Sequence, residues 1–123
     1  MLLFTYGTLM RGNCNHSYMC SSALVGVAVL RDYALYDLGC FPGIRPCAGA
    51  SVTGELYVLE SQRDFERIRR LEGDGSLYVQ HRVTVEMSDR ASLPAVVFVY
   101  NAPCENDRNA ETKSELWRNH YDL

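Results

Sequence analysis

Short apolar runs, each stopped by a turn signal, recur along this chain and leave room for one well-marked helix. The first, Leu2-Leu3-Phe4-Thr5-Tyr6, halts at Gly7-Thr8-Leu9-Met10-Arg11-Gly12. A run of that length and apolarity suits a buried strand. Glycine at its end lets the backbone take φ > 0 and leaves consecutive N–H groups off the ladder. Such donors either form a nest for a carboxylate or an oxyanion or mark nothing more than the end of a strand. A phosphate loop is excluded: Gly7 and Gly12 have the required separation, but Asn13-Cys14 follows where that loop needs lysine and a hydroxyl residue.

The later runs follow the same plan. Leu24–Leu30 and Tyr33–Tyr36 read as two strands, and Phe41-Pro42-Gly43-Ile44-Arg45-Pro46 as a loop whose prolines exclude it from a central ladder. Asn13–Ser17 offers capping side chains for a short helix through Tyr18, Met19 and Cys20. Val52–Leu59 alternates, with Val52, Leu56 and Val58 on one face and Thr53, Glu55 and Tyr57 on the other, and Gly54 marks a bend or a close approach. Tyr78–Met87 and Ala95–Tyr100 read as strands that pair across Ser88-Asp89-Arg90. A last helix, or a docked coil, is read at Thr112–Tyr121, anchored by Trp117 and Tyr121. Six strands with helices inserted between them, and no regular strand-helix alternation, predict an α+β fold whose mostly antiparallel sheet curls into a small barrel. The 123 residues suit a single domain, 1–123.

Charge and cysteine usage exclude several functions. Twelve basic against 15 acidic residues give a net charge of −3, and the arginines cluster only at Arg67, Arg69 and Arg70, so no nucleic-acid partner is expected. No segment approaches a membrane span or an export signal, which predicts a soluble, cytoplasmic chain. Cys14, Cys20, Cys40, Cys47 and Cys104 form an odd set with no Cys-x-x-Cys pair and read as reduced thiols, mostly acting as small hydrophobes. Cys14, His16 and Cys20 have no visible fourth ligand, so no metal is assigned. His16 reads as a turn or pocket residue, and His81 and His120 as surface residues.

The chemistry surfaces in the helix Ser61–Glu72, opened by Ser61 as cap with Asp64 three residues on and closed by Gly73. At about 100° per residue, Phe65, Ile68 and Leu71 share one stripe, and Glu72 lies on or beside it. An inward carboxylate at a helix C-terminus has its pKa raised by burial and by the helix dipole, with Arg69 and Arg70 pulling the other way. That makes Glu72 a candidate general base and acid. A frayed last-turn glutamate reaching solvent fits the same spacing. Glu55 is a weaker second carboxylate, expected to be solvated or paired.

Phe4-Thr5-Tyr6-Gly7-Thr8-Leu9-Met10-Arg11-Gly12, Asn15-His16, Tyr36-Asp37-Leu38-Gly39-x-Phe41-Pro42-Gly43, Gly54-Glu55-Leu56-Tyr57, Leu71-Glu72-Gly73 and Tyr78, in that order, resemble the gamma-glutamylcyclotransferase-like (AIG2-like) family. The resemblance implies a small mixed β-barrel with peripheral helices and an enzyme acting on a gamma-glutamyl amine or amide, without metal or cofactor. In that chemistry the substrate's own α-amine attacks the γ-carbonyl, closing 5-oxoproline and expelling the amine. The family's substrate loop falls on Tyr6, Gly7, Thr8 and Leu9, a further substrate-binding position on Tyr78, and the catalytic glutamate on Glu72. Gln80 stands where the family commonly carries arginine. Two other functions fit the same residues: a non-catalytic module binding glutamyl-like carboxylates, and a transferase or hydrolase using an outside nucleophile. Neither the amine released nor the oligomeric state is readable from the sequence.

Overall fold

The computed structural model describes residues 1–101 other than Cys14, Cys20 and 38–41. The predicted helix at Thr112–Tyr121 and four of the five cysteines lie outside the described residues. Five strands follow in chain order: β1 (Leu2–Thr5), β2 (Ala23–Asp37), β3 (Pro42–Val58), β4 (Tyr78–Met87) and β5 (Ser92–Tyr100). A single turn of 3-10 helix (His16–Met19) precedes β2, and one α-helix, α1 (Gln62–Glu72), lies between β3 and β4. The strands close into a barrel in the order β1-β3-β2-β4-β5. The neighbours are antiparallel except for β5 on β1, which pair in parallel at Leu3 and Val96. The fold is therefore the expected small mixed barrel. Among the described residues, no helix is long and apolar enough to cross a membrane.

Both faces of the barrel wall are buried along much of its length, which is why β1 and β5 read as continuous apolar runs. Phe4, Leu56, Val97 and Val99 pack in one cluster with Leu30, Ile44 and Val85, on the inside. Their chain neighbours Leu3, Tyr57 and Phe98 pack in a second cluster with Phe65 and Ile68 of α1, on the outside. The helix is held as its sequence predicts: Ser61 Oγ accepts the Asp64 amide at 3.1 Å, and Gly73, at φ 61°, ends it. That left-handed φ is nearly free for glycine.

Two strand boundaries differ from the sequence-based expectation. The break at Arg31-Asp32 is a bulge inside one long strand, where the register jumps from Arg31↔Ser51 to Tyr33↔Pro46 and Asp32 takes φ 67°. Asp is one of the few residues besides glycine that visit that conformation, and Asp32 Oδ1 accepts the amide of Gly49 on β3 at 3.1 Å. The predicted loop at Phe41–Pro46 is, from Pro42 on, the start of β3. Its prolines are tolerated because Pro42 opens the strand and Pro46 sits at the bulge, positions where a missing N–H costs little. Cys47, one of the five cysteines expected mostly as reduced thiols acting as small hydrophobes, is a free thiol exposed beside that bulge.

β1 and β3 come closest near Thr5. Gly54 is required there by contact: a Cβ on it would lie 2.2 Å from the Thr5 carbonyl oxygen and 2.8 Å from the Phe4 ring. Predicted as a bend or a close approach, it is a close approach. β1 can therefore lie against β3 over its whole length, and the chain leaves β1 at Tyr6 in a defined direction.

Candidate active site

A cavity of about 350 Å³ opens where β1 ends, between the Gly7 loop, the last turn of α1 and the start of β4. Tyr6, Gly7, Thr8, Leu9, Glu72 and Tyr78, the residues on which the family resemblance places catalysis and substrate binding, all line it, whereas Glu55 and His16 do not. Leu71, Leu77, Phe98 and Pro42 supply much of the remaining wall.

The loop is built differently from its sequence-based account. Gly7 does not take a positive φ. Glycine is needed because a Cβ there would lie 2.6 Å from Pro42 Cγ and 3.0 Å from its Cδ, so the first turn of the loop is packed against the start of β3. The loop's carbonyls are then tied down one after another. Gly7 O accepts from Met10 N at 3.0 Å and from Asn13 Nδ2 at 2.8 Å, and Thr8 O accepts from Asn15 N at 2.8 Å. His16 Nδ1 lies 2.9 Å from Leu9 O, and Asn15 Nδ2 donates to Thr8 Oγ1 at 3.0 Å. A trans peptide points its C=O and the following N–H in opposite directions. Fixing the Gly7 and Thr8 carbonyls on the Asn13-Asn15 side therefore turns the Thr8 and Leu9 amides away from it. Asn13, Asn15 and His16 thus hold the loop, a role the sequence reading did not assign. The signal in the sequence is three polar side chains directly after the loop, of which Asn13 and Asn15 read as helix caps and His16 as a turn or pocket residue.

Tyr6 and Tyr78 use their hydroxyls structurally. Tyr6 donates to Phe98 O and Tyr78 to Pro42 O, each at 2.6 Å. Burial, followed by the neighbouring tyrosine and Glu72, raises the Tyr6 pKa well above its usual value; burial and then Glu72 raise that of Tyr78. Both stay protonated, so they face the cavity as neutral groups.

Glu72 is the carboxylate in this wall. Its two bland neighbours on the stripe, Phe65 and Ile68, are buried against the barrel, so the last turn is pinned and Glu72 faces the cavity, not bulk solvent. Burial raises its pKa to about 7. The two arginines expected to oppose that shift do not: Arg69 is committed to Glu66 and Asp74, with Nη1 2.9 Å from Glu66 Oε1 and Nε 2.8 Å from Asp74 Oδ2, while Arg70 is exposed. Gln80 joins that cluster, donating to Asp74 Oδ2 at 2.8 Å. It thereby fastens the Gly73–Ser76 turn that follows Glu72. His81, expected at the surface, is half-buried with Nδ1 3.0 Å from Tyr33 OH. Among the described residues no group of His, Cys, Asp and Glu could hold a metal ion.

Fold and cavity together define a small closed mixed barrel with a helix-borne carboxylate opposite a loop of fixed backbone amides. A family model described as "Gamma-glutamyl cyclotransferase, AIG2-like" matches residues 3–119, and the chain belongs to that family. It is 29% identical over 121 residues to the gamma-glutamylcyclotransferase family protein YtfP of Citrobacter rodentium, covering 98% of this chain and 100% of that one. A Vibrio cholerae serotype O1 protein provisionally named a gamma-glutamylcyclotransferase is 45% identical over 60 residues, 48% of this chain and 51% of that one. The stretch shared with the Vibrio protein thus spans about half of its length. The crystal structure of an AIG2-like protein from Mus musculus superposes with a TM-score of 0.83 at 22% identity, covering 95% of this chain and 87% of that one. At that identity the likeness shows the fold.

Proposed function

We propose that the chain is a gamma-glutamyl cyclotransferase that converts a gamma-glutamyl amine or amide into 5-oxoproline and a free amine. The observation that carries the reading is that Glu72 stands in the wall of the same cavity as the Tyr6–Leu9 loop, where burial pushes its pKa up to about 7. A base poised near neutral pH can both take and return a proton in one cycle.

In this reaction the substrate's α-amine attacks its own γ-carbonyl carbon. The new bond joins the α-nitrogen to the γ-carbon, and the bond that breaks joins the γ-carbon to the leaving nitrogen. Ionised Glu72 takes the proton from the attacking nitrogen and delivers it to the leaving nitrogen, so it ends as it began. The loop amides of Thr8 and Leu9 offset the charge on the tetrahedral oxygen. Because nucleophile and electrophile belong to one molecule, the protein has mainly to fold the substrate and move the proton. The half-turn of backbone held by Asn13, Asn15 and His16 supplies the rigidity that such preorganisation needs.

The test is product identity. Purified protein incubated with a panel of gamma-glutamyl amines and gamma-glutamyl amino acids is expected to release 5-oxoproline. Release of glutamate or of a new conjugate would replace this mechanism by attack of an outside nucleophile. A thermal shift with glutamate-like ligands and no turnover of any substrate would leave a binding module.

A further inference from the structure

The cavity's loop is fixed from a point outside the cavity. Glu55, on the outer face of β3, is 7% exposed. It stands directly opposite Thr5, the last residue of β1, and Thr5 Oγ1 donates to its carbonyl oxygen at 3.2 Å. Its side chain reaches the far end of the same loop: Oε1 accepts the Arg11 amide at 2.8 Å, and Oε2 accepts Arg11 Nε at 2.7 Å. Tyr57 OH donates to Oε1 at 2.9 Å and fixes the carboxylate from behind. Burial alone would raise the Glu55 pKa, but the hydrogen bonds from Arg11 and Tyr57 outweigh it and bring it below the ordinary value.

We infer that Glu55 is a positioning residue that staples both ends of the Tyr6–Met10 loop, Thr5 through the ladder and Arg11 through its carboxylate, and so sets the aim of the Thr8 and Leu9 amides. It does not line the cavity, and its effect on turnover rests on the proposed cyclotransferase reading. The Arg11 guanidinium contributes little of the hold, since its side chain is 58% exposed and its charge is screened. The backbone N–H of Arg11 carries it, because that donor has no rotamers to lose and meets a buried carboxylate.

Glu55→Leu keeps roughly the bulk of the side chain and removes every acceptor, so the Arg11 N–H loses its partner while the Thr5 bond to the residue 55 backbone carbonyl stays. Two measurements on this variant test the staple. Amide hydrogen exchange should show protection of Met10, Arg11 and Asn15 reduced roughly tenfold, the loss expected from one charge-assisted hydrogen bond. Amides of α1 and of the β4–β5 ladder should keep wild-type protection. With the substrate that wild type turns over best, KM should rise by about the same factor with a smaller change in kcat. Arg11→Ala, which leaves the backbone bond in place, should do less on both counts. Unchanged loop protection, or a loss spread evenly over the barrel, overturns the staple and makes Glu55 an ordinary buried residue. If wild type turns over nothing, the cyclotransferase reading fails, while the exchange pattern still decides the staple.

Discussion

Glu72→Gln should make this protein more stable at alkaline pH while disabling it. The reason is proton linkage. Burial raises the Glu72 pKa from 4.5 to about 7 in the folded chain, while the unfolded chain keeps the ordinary value. Below about pH 4.5 both states are protonated and the residue costs nothing. Between there and about pH 7 the unfolded state ionises first, so stability falls as pH rises. Above about 7 the penalty is complete. At ~1.4 kcal/mol per pKa unit the ceiling is about 3 kcal/mol. Glu72 keeps some access to the cavity, so we expect about 1–2 kcal/mol in practice, a rise of several degrees in Tm at pH 8. The variant should match wild type at pH 4, because a neutral amide replaces a neutral carboxylic acid. Thermal or urea unfolding of both proteins at pH 4, 6 and 8 measures the divergence. Equal stability at every pH would refute the burial argument and return Glu72 to solvent. In the same variant kcat should fall by about 10²–10⁴, the usual contribution of a general acid–base group.

With a substrate in hand, kcat/KM should rise with pH through about 7 as Glu72 ionises; an acid limb near pH 4 would assign the base to an ordinary carboxylate. Gly7→Ala forces a methyl group against the Pro42 ring and should cost about 1–3 kcal/mol by denaturant titration, with a larger rise in KM than a distant change of equal cost. Ser61→Ala removes the helix cap and should lower stability by about 1 kcal/mol while leaving kcat unchanged, since Ser61 lies at the far end of α1 from the cavity. Ile68→Ala empties a position that is fully buried between helix and barrel; a loss of about 2–5 kcal/mol is expected in the same titration.

The helix was legible because its signals are local: a cap at Ser61, a 3.6-residue stripe and a glycine stop act within a few residues of each other. The strands were legible as apolar runs for a similar reason, although their limits were not. At Asp32 a residue that normally ends a strand is absorbed by a bulge, and at Pro42 and Pro46 two ladder-breaking residues sit where the ladder does not need them. Both outcomes depend on which strand lies alongside, and that is decided by pairing across the barrel, not by the residues themselves. Likewise, a glycine that must make room for a neighbour looks identical in sequence to one that must turn, so the reason for Gly7 became visible only with Pro42 in place.

From sequence alone came a strand leading into a glycine loop, a glutamate on the apolar stripe of a capped helix, and a mostly antiparallel α+β barrel. Each follows from short-range periodicity and turn chemistry. Whether the glutamate would meet the loop or point into solvent was left open, since residues 7 and 72 are linked through β3 and the close approach at Gly54, contacts that no spacing encodes. Closure of the barrel brought them to one cavity, left burial as the cause of the raised Glu72 pKa, and decided between the two expectations for Glu55, which is buried and paired with Arg11.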